Sequence, residues 1–106
     1  MTSGNEEEML RLDLNNPVFQ RTMFDLTKND QRAILNTLKK MAGMTWRQVY
    51  SDRGLKWEAI LSRKGPNGSR IYTFRLGKGF RAIGYREKSW LRILSPHPDS
   101  SPRFFP

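Results

Sequence analysis

Hydrophobic and polar positions change their period partway along the chain. Leu10, Leu12 and Leu14 alternate with Arg11 and Asp13, which fits a short strand, although a helical turn fits as well. After Pro17, the stretch Val18–Leu26 is rich in apolar residues but follows neither period, so strand and helix both stay open there. Ile34, Leu38 and Met41 then recur at helical spacing, with Leu35 and Ala42 beside them. Thr27 followed by Asp30 is a capping-box-like start and Gly43 a stop, which predicts a helix over residues 28–42. Thr45 and Gln48 match the capping box itself. Trp46, Val49 and Tyr50 form one apolar side of a second, shorter helix that Gly54 ends.

After Gly54 the period becomes two, and strands are predicted near residues 55–63, 69–76, 80–86 and 89–95. Asn67-Gly68, inside the connector 64–68, is the strongest hairpin signal because both residues tolerate positive φ. Gly77-Lys78-Gly79 and Glu87-Lys88 are as short, and such links join only antiparallel neighbours. The expected fold is α+β: two N-terminal helices packed on one face of a four-stranded antiparallel β-meander, with an extra N-terminal strand as a possible addition. One domain covers 1–106, with residues 1–8 frayed. Trp46 and Trp57 are expected in the core between helix and sheet. Core placement is also favoured for Trp90, Tyr72 and Tyr85.

Charge sharpens this picture. Net charge is +9 over 106 residues, and none of the excess lies in the helical half. Up to Asp52, seven basic residues face seven acidic ones. Beyond it, twelve Lys and Arg face only Glu58, Glu87 and Asp99, and eight of the twelve are arginines. Arginine suits bidentate phosphate contact. With the helices on one sheet face, the basic residues are expected on the other face and at the hairpin ends. A polyanionic partner follows, nucleic acid first, although an acidic protein would answer the same field.

Composition narrows the chemistry. The chain has no cysteine and one histidine, which removes disulfide scaffolds, thiolate metal sites, cysteine nucleophiles and multi-imidazole sites. The expectation is no metal and no cofactor. No apolar run nears the roughly 20 residues a bilayer crossing needs. Glu6-Glu7-Glu8 stands where a secretory signal would be basic and then apolar. A cytoplasmic protein without membrane contact is the expectation.

Two segments then carry a family likeness. Tyr72-Thr73-Phe74-Arg75-Leu76 and Phe80-Arg81-Ala82-Ile83-Gly84-Tyr85, behind two helices and ahead of Leu91-Arg92-Ile93-Leu94-Ser95, resemble the RelE/ParE superfamily of bacterial type II toxins. The likeness covers roughly residues 18–103. It implies a toxin neutralised by an antitoxin whose extended segment wraps the basic domain. One branch of that group cleaves mRNA, on or off the ribosome, without metal. The other poisons DNA gyrase through protein contacts and catalyses nothing. A plain nucleic-acid-binding module of this topology is a third reading.

The resemblance implies that Arg75 and Arg81 hold the phosphate during RNA cleavage and that His97 transfers protons. His97 is the one side chain whose unperturbed pKa lies near neutrality. Lys78 at a hairpin tip, Arg86, Arg92, Arg103 and Phe104 are further substrate-binding candidates, Phe104 by stacking a base. Glu58 is a second candidate base, and Asp99 a candidate to orient His97. The C-terminal tyrosine that many RNA-cleaving members carry is replaced here by Phe104-Phe105, which cannot transfer a proton.

Overall fold

The computed structural model describes residues 6–77 and 79–98, without the side chains of His97 and Pro98. They form three helices, α1 (Pro17–Asp25), α2 (Lys28–Ala42) and α3 (Trp46–Ser51). The strands are β1 (Arg11–Asp13), β2 (Glu58–Lys64), β3 (Arg70–Arg75), β4 (Phe80–Glu87) and β5 (Trp90–Pro98).

The capping signals act as expected. Thr27 accepts a hydrogen bond from the Asp30 N–H at the start of α2. Thr45 and Gln48 form both bonds of the capping box on α3. The stretch that fit neither period is helix α1. Asn16 accepts from the Val18 N–H, and Pro17 occupies the first helical position, where a missing N–H costs nothing. Phe19 and Met23 are buried while Val18 and Phe24 are exposed, and these outward apolar residues blurred the helical pattern. The helices therefore number three, not two.

The sheet also differs from a plain meander. Its order is β1-β5-β4-β3-β2, with antiparallel pairs from β2 to β5 and β1 parallel to β5. The parallel pair is possible because three helices and three strands separate β1 from β5 in the chain, far beyond hairpin reach. β2 starts at Glu58, later than periodicity placed it, because Lys56 adopts φ +50 and interrupts the extended run. β5 extends to Pro98. β1 covers it only along Trp90–Arg92, so prolines at its far end disrupt no ladder on that side among the described residues. Asn67 and Gly68 both take positive φ in the β2–β3 turn, as the hairpin signal required.

One sheet face packs on the helices. Trp46, Ile34, Met41 and Val49 meet Phe74, Leu76, Ala82, Leu91 and Ile93 in a core that is essentially closed to solvent. The Trp46 indole N–H donates to the Ser89 carbonyl at 2.9 Å, which satisfies its one polar atom. Trp57 stacks on Tyr72 and Phe74 at 4.9 and 5.2 Å between ring centroids. The other face is open. Ile71 and Ile83 are buried there, outside the main core, as a small apolar floor. Tyr85 and Trp90 lie outside the core too, both half-buried, which corrects the core placement favoured for them.

Candidate functional site

Strand register builds the site. Directly opposed residues of an antiparallel pair share a sheet face. Arg75 opposes Arg81, and Arg81 opposes His97, so the three form one row across β3, β4 and β5. Phe74 and Ala82, one step along, point into the core. Arg75 and Arg81 therefore stand on the open face, at the end of the sheet beside the β3–β4 turn, and the backbone of His97 pairs alongside them.

Arg81 is the anchor of this row. Its side chain is only 11% exposed. Nε donates to the Thr73 hydroxyl at 3.1 Å, and Nη2 donates to the Lys56 carbonyl at 3.0 Å. The positive φ of Lys56 belongs to the same kink that delays β2. Glu58 Oε1 lies 3.7 Å from Nη2, on a side chain that is 73% exposed. A guanidinium this deep is expensive to leave without partners, and these three groups compensate it. They use Nε and Nη2 and leave Nη1 out of the arrangement.

Arg75 is half-buried at the end of β3, where its backbone N–H donates to the Leu55 carbonyl at 2.6 Å. Its side also borders a cleft of about 320 Å³ against α2. His97 is placed by its backbone pairing alone. Lys78, Asp99, Arg103 and Phe104 lie outside the described residues.

The two remaining arginine candidates stand elsewhere. Arg86 opposes the core residue Leu91 and so projects to the helix side. There it lies over the Trp46 ring at 4.3 Å and donates to the Tyr50 hydroxyl at 2.8 Å and the Lys88 carbonyl at 2.6 Å. It braces α3 against the sheet, away from the open face where it was expected. Arg92 is on the open face but at the far end from Arg81. It forms ion pairs with Asp13 and Glu87, at 2.6 Å to Glu87 Oε1, and flanks the Trp90 ring together with Arg11.

Titration follows these contacts. The Glu87 hydrogen bond, then that of Asp13, raises the Arg92 guanidinium above its ordinary value. The Asn15 N–H, seconded by Arg92 against the effect of burial, holds Asp13 below the usual carboxylate value. Burial alone would raise Asp52, but its hydrogen bonds from Lys40 and the Leu55 N–H outweigh it and lower the carboxyl. Among the described residues, no group of three or more acidic or histidine side chains is arranged to hold a metal ion.

The partners of Arg81 were not visible in the sequence. Thr73 sits eight residues away and Lys56 twenty-five, and only the register and the kink bring them together. The Asp13–Arg92 pair spans 79 positions and has no local signal at all.

Comparison with known proteins agrees with this architecture. No protein-family model matches the chain, and no curated protein matches it. Among solved structures it is similar to a chain of the archaeal RelE–RelB complex from Pyrococcus horikoshii OT3, with a TM-score of 0.62. The match covers 88% of this chain and 98% of that one at 17% identity. The fold is RelE-like, with a mixed five-stranded sheet and three helices.

Proposed function

We propose that this chain is the toxin of a type II toxin–antitoxin pair and acts as a metal-independent mRNA endoribonuclease that blocks translation. The observation that supports the reading is the register that pairs Arg75 with Arg81 and Arg81 with the backbone of His97 in a RelE-like sheet, with Glu58 beside Arg81. RNA cleavage needs a base for the 2′-hydroxyl, an acid for the departing 5′-oxygen, and cations for charge that grows on the phosphorus. Glu58, exposed and beside Arg81, suits the base. His97 suits the acid, protonating the 5′-oxygen as its bond to phosphorus breaks. Arg81 and Arg75 hold the non-bridging oxygens, Arg81 through the Nη1 edge that its internal partners leave out. The products are a 2′,3′-cyclic phosphate and a free 5′-hydroxyl.

The partner in the cell is an extended, acidic antitoxin segment, and the site of action is cytoplasmic mRNA, on or off the ribosome. The RelE–RelB assembly of the structural neighbour supports such a partner by analogy of fold. A non-catalytic reading, a toxin that inhibits DNA gyrase, is favoured by one observation. Arg81 is nearly buried and already hydrogen-bonded within the protein.

Induced expression of His97→Ala and Arg81→Lys separates the readings. Both variants are expected to release growth arrest and spare mRNA, with far-ultraviolet circular dichroism unchanged. Arrest with intact mRNA and an SOS response would assign gyrase instead. Full toxicity of both variants overturns the residue roles.

A further inference from the structure

The row does not end at Arg75. Past it lies the cleft of about 320 Å³, lined by Thr37 and Lys40 from α2, Gly54 and Leu55 after α3, and Arg75 and Gly77 at the end of β3. Its volume is at the lower end of the range for small-ligand sites, on the order of 300 Å³ and up. Two of its six lining residues are cations, and none is acidic.

Its walls are held from both sides. Lys40 is 57% exposed and pairs with Asp52 at 3.2 Å, and Asp52 in turn accepts from the Leu55 N–H at 3.0 Å. That chain ties the α2 cation to the segment forming the opposite wall. At the end, Gly77 has φ +86 and is pressed onto α2. A β-carbon there would stand 3.1 Å from the Ala33 carbonyl carbon and the Ile34 nitrogen, so the turn closes the cleft only because the residue is glycine. Thr37 donates its hydroxyl to the Ala33 carbonyl at 3.3 Å, which keeps its oxygen as an acceptor toward a ligand.

We infer that this cleft is a nucleotide subsite, taking the nucleotide adjacent to the cleaved bond of single-stranded RNA. Arg75 is shared: it belongs to the phosphate row by register and to the cleft by position. Lys40 meets the adjoining phosphate, and the base lies against the glycine backbone that covers the buried Leu55, with Thr37 to accept from an exocyclic amine. Only the backbone of Gly54 and Gly77 lines that part, so a flat base can approach closely. The inference rests on the RNA-cleaving reading above.

The test uses a fluorescein-labelled, 2′-O-methylated RNA pentanucleotide, which the enzyme cannot cut, and fluorescence anisotropy across a potassium chloride series. Lys40→Ala is expected to weaken binding about three- to tenfold and to lower the slope of log affinity against log salt by about 0.7, the value of one single-strand phosphate contact. Thr37→Trp, which fills the cleft and leaves the open face alone, is expected to weaken binding about tenfold with the slope nearly kept. Equal thermal midpoints show that both variants fold. If both bind like wild type while Arg81→Lys does not, the subsite is overturned and the RNA-cleaving reading stands. If wild type binds no RNA, both fall.

Discussion

The two ends of the open sheet face hold arginines in different company. At one end, Arg81 and Arg75 share a row with His97, and the only carboxylate at contact distance of Arg81 among the described residues is the exposed Glu58. At the other end, Arg92 is clamped between Asp13 and Glu87, and Arg11 leans on Trp90. At the first end, Arg81 is held mostly by neutral groups, the Thr73 hydroxyl and the Lys56 carbonyl. The second spends its charge on the fold, where the Asp13–Arg92 pair ties the short parallel strand β1 to β5. A single figure of +9 therefore covers two surfaces with different partners for their arginines. Arg86 adds a third case, a cation packed on the aromatic side of α3.

This contrast can be broken by exchanging the ends. The largest effect is expected at Arg81. On the proposed RNA-cleaving role, Arg81→Ala should lower the cleavage rate on the order of 10²-fold or more, since the phosphorane would lose a principal cation. It should also lower stability through the buried Thr73 hydroxyl, which loses its donor. Steady-state cleavage and chemical denaturation read the two separately.

Arg92→Ala should do the reverse. Its cleavage rate should stay within about twofold of wild type, while stability falls slightly, as for a partly exposed ion pair. Urea denaturation of Arg92→Ala beside Asp13→Asn and the double variant measures the coupling. A large cleavage loss in Arg92→Ala with an intact fold would erase the distinction between the two ends.

The smallest effect concerns acid. Asp13 has a lowered pKa in the folded chain, so its ionised form stabilises the fold. That contribution is complete above the unfolded carboxylate value and disappears as pH falls through the lower folded one. Asp13→Asn should therefore flatten the drop in thermal midpoint between pH 5 and pH 3, where wild type falls. An identical drop in the variant would place the acid sensitivity elsewhere, with Asp52 the next carboxylate lowered by its contacts.

The sequence showed these features unevenly, for physical reasons. Helix starts were legible because capping is local: Thr27 with Asp30 and Thr45 with Gln48 act within three residues. The Asn67-Gly68 turn was legible because its φ demand is written in residue type. Helix α1 was signalled by Asn16-Pro17, yet Val18 and Phe24 face outward and hid the period. The parallel pairing of β1 was not legible, because nothing local specifies a partner some eighty residues away. The row itself lay half in view. Arg75, Arg81 and His97 stand out as residues, but only the β3–β4–β5 register brings their backbone positions side by side. Periodicity named Arg86 as readily as Arg81. Their five-residue spacing puts them on opposite faces of β4, as strict alternation requires.

We propose that the Arg81 end of the open face is an RNA-cleaving site, whereas the Arg92 end is a structural clasp. Mapping RNA 5′ ends after induced expression of wild type, Arg81→Lys and Arg92→Ala tests it most directly. Abundant new 5′ ends within coding regions are expected for wild type and Arg92→Ala, and none above background for Arg81→Lys. Lysine keeps the charge at position 81 but not the planar fork held by Thr73 and Lys56. New ends undiminished in Arg81→Lys, or intact RNA in all three cells despite growth arrest, would contradict it.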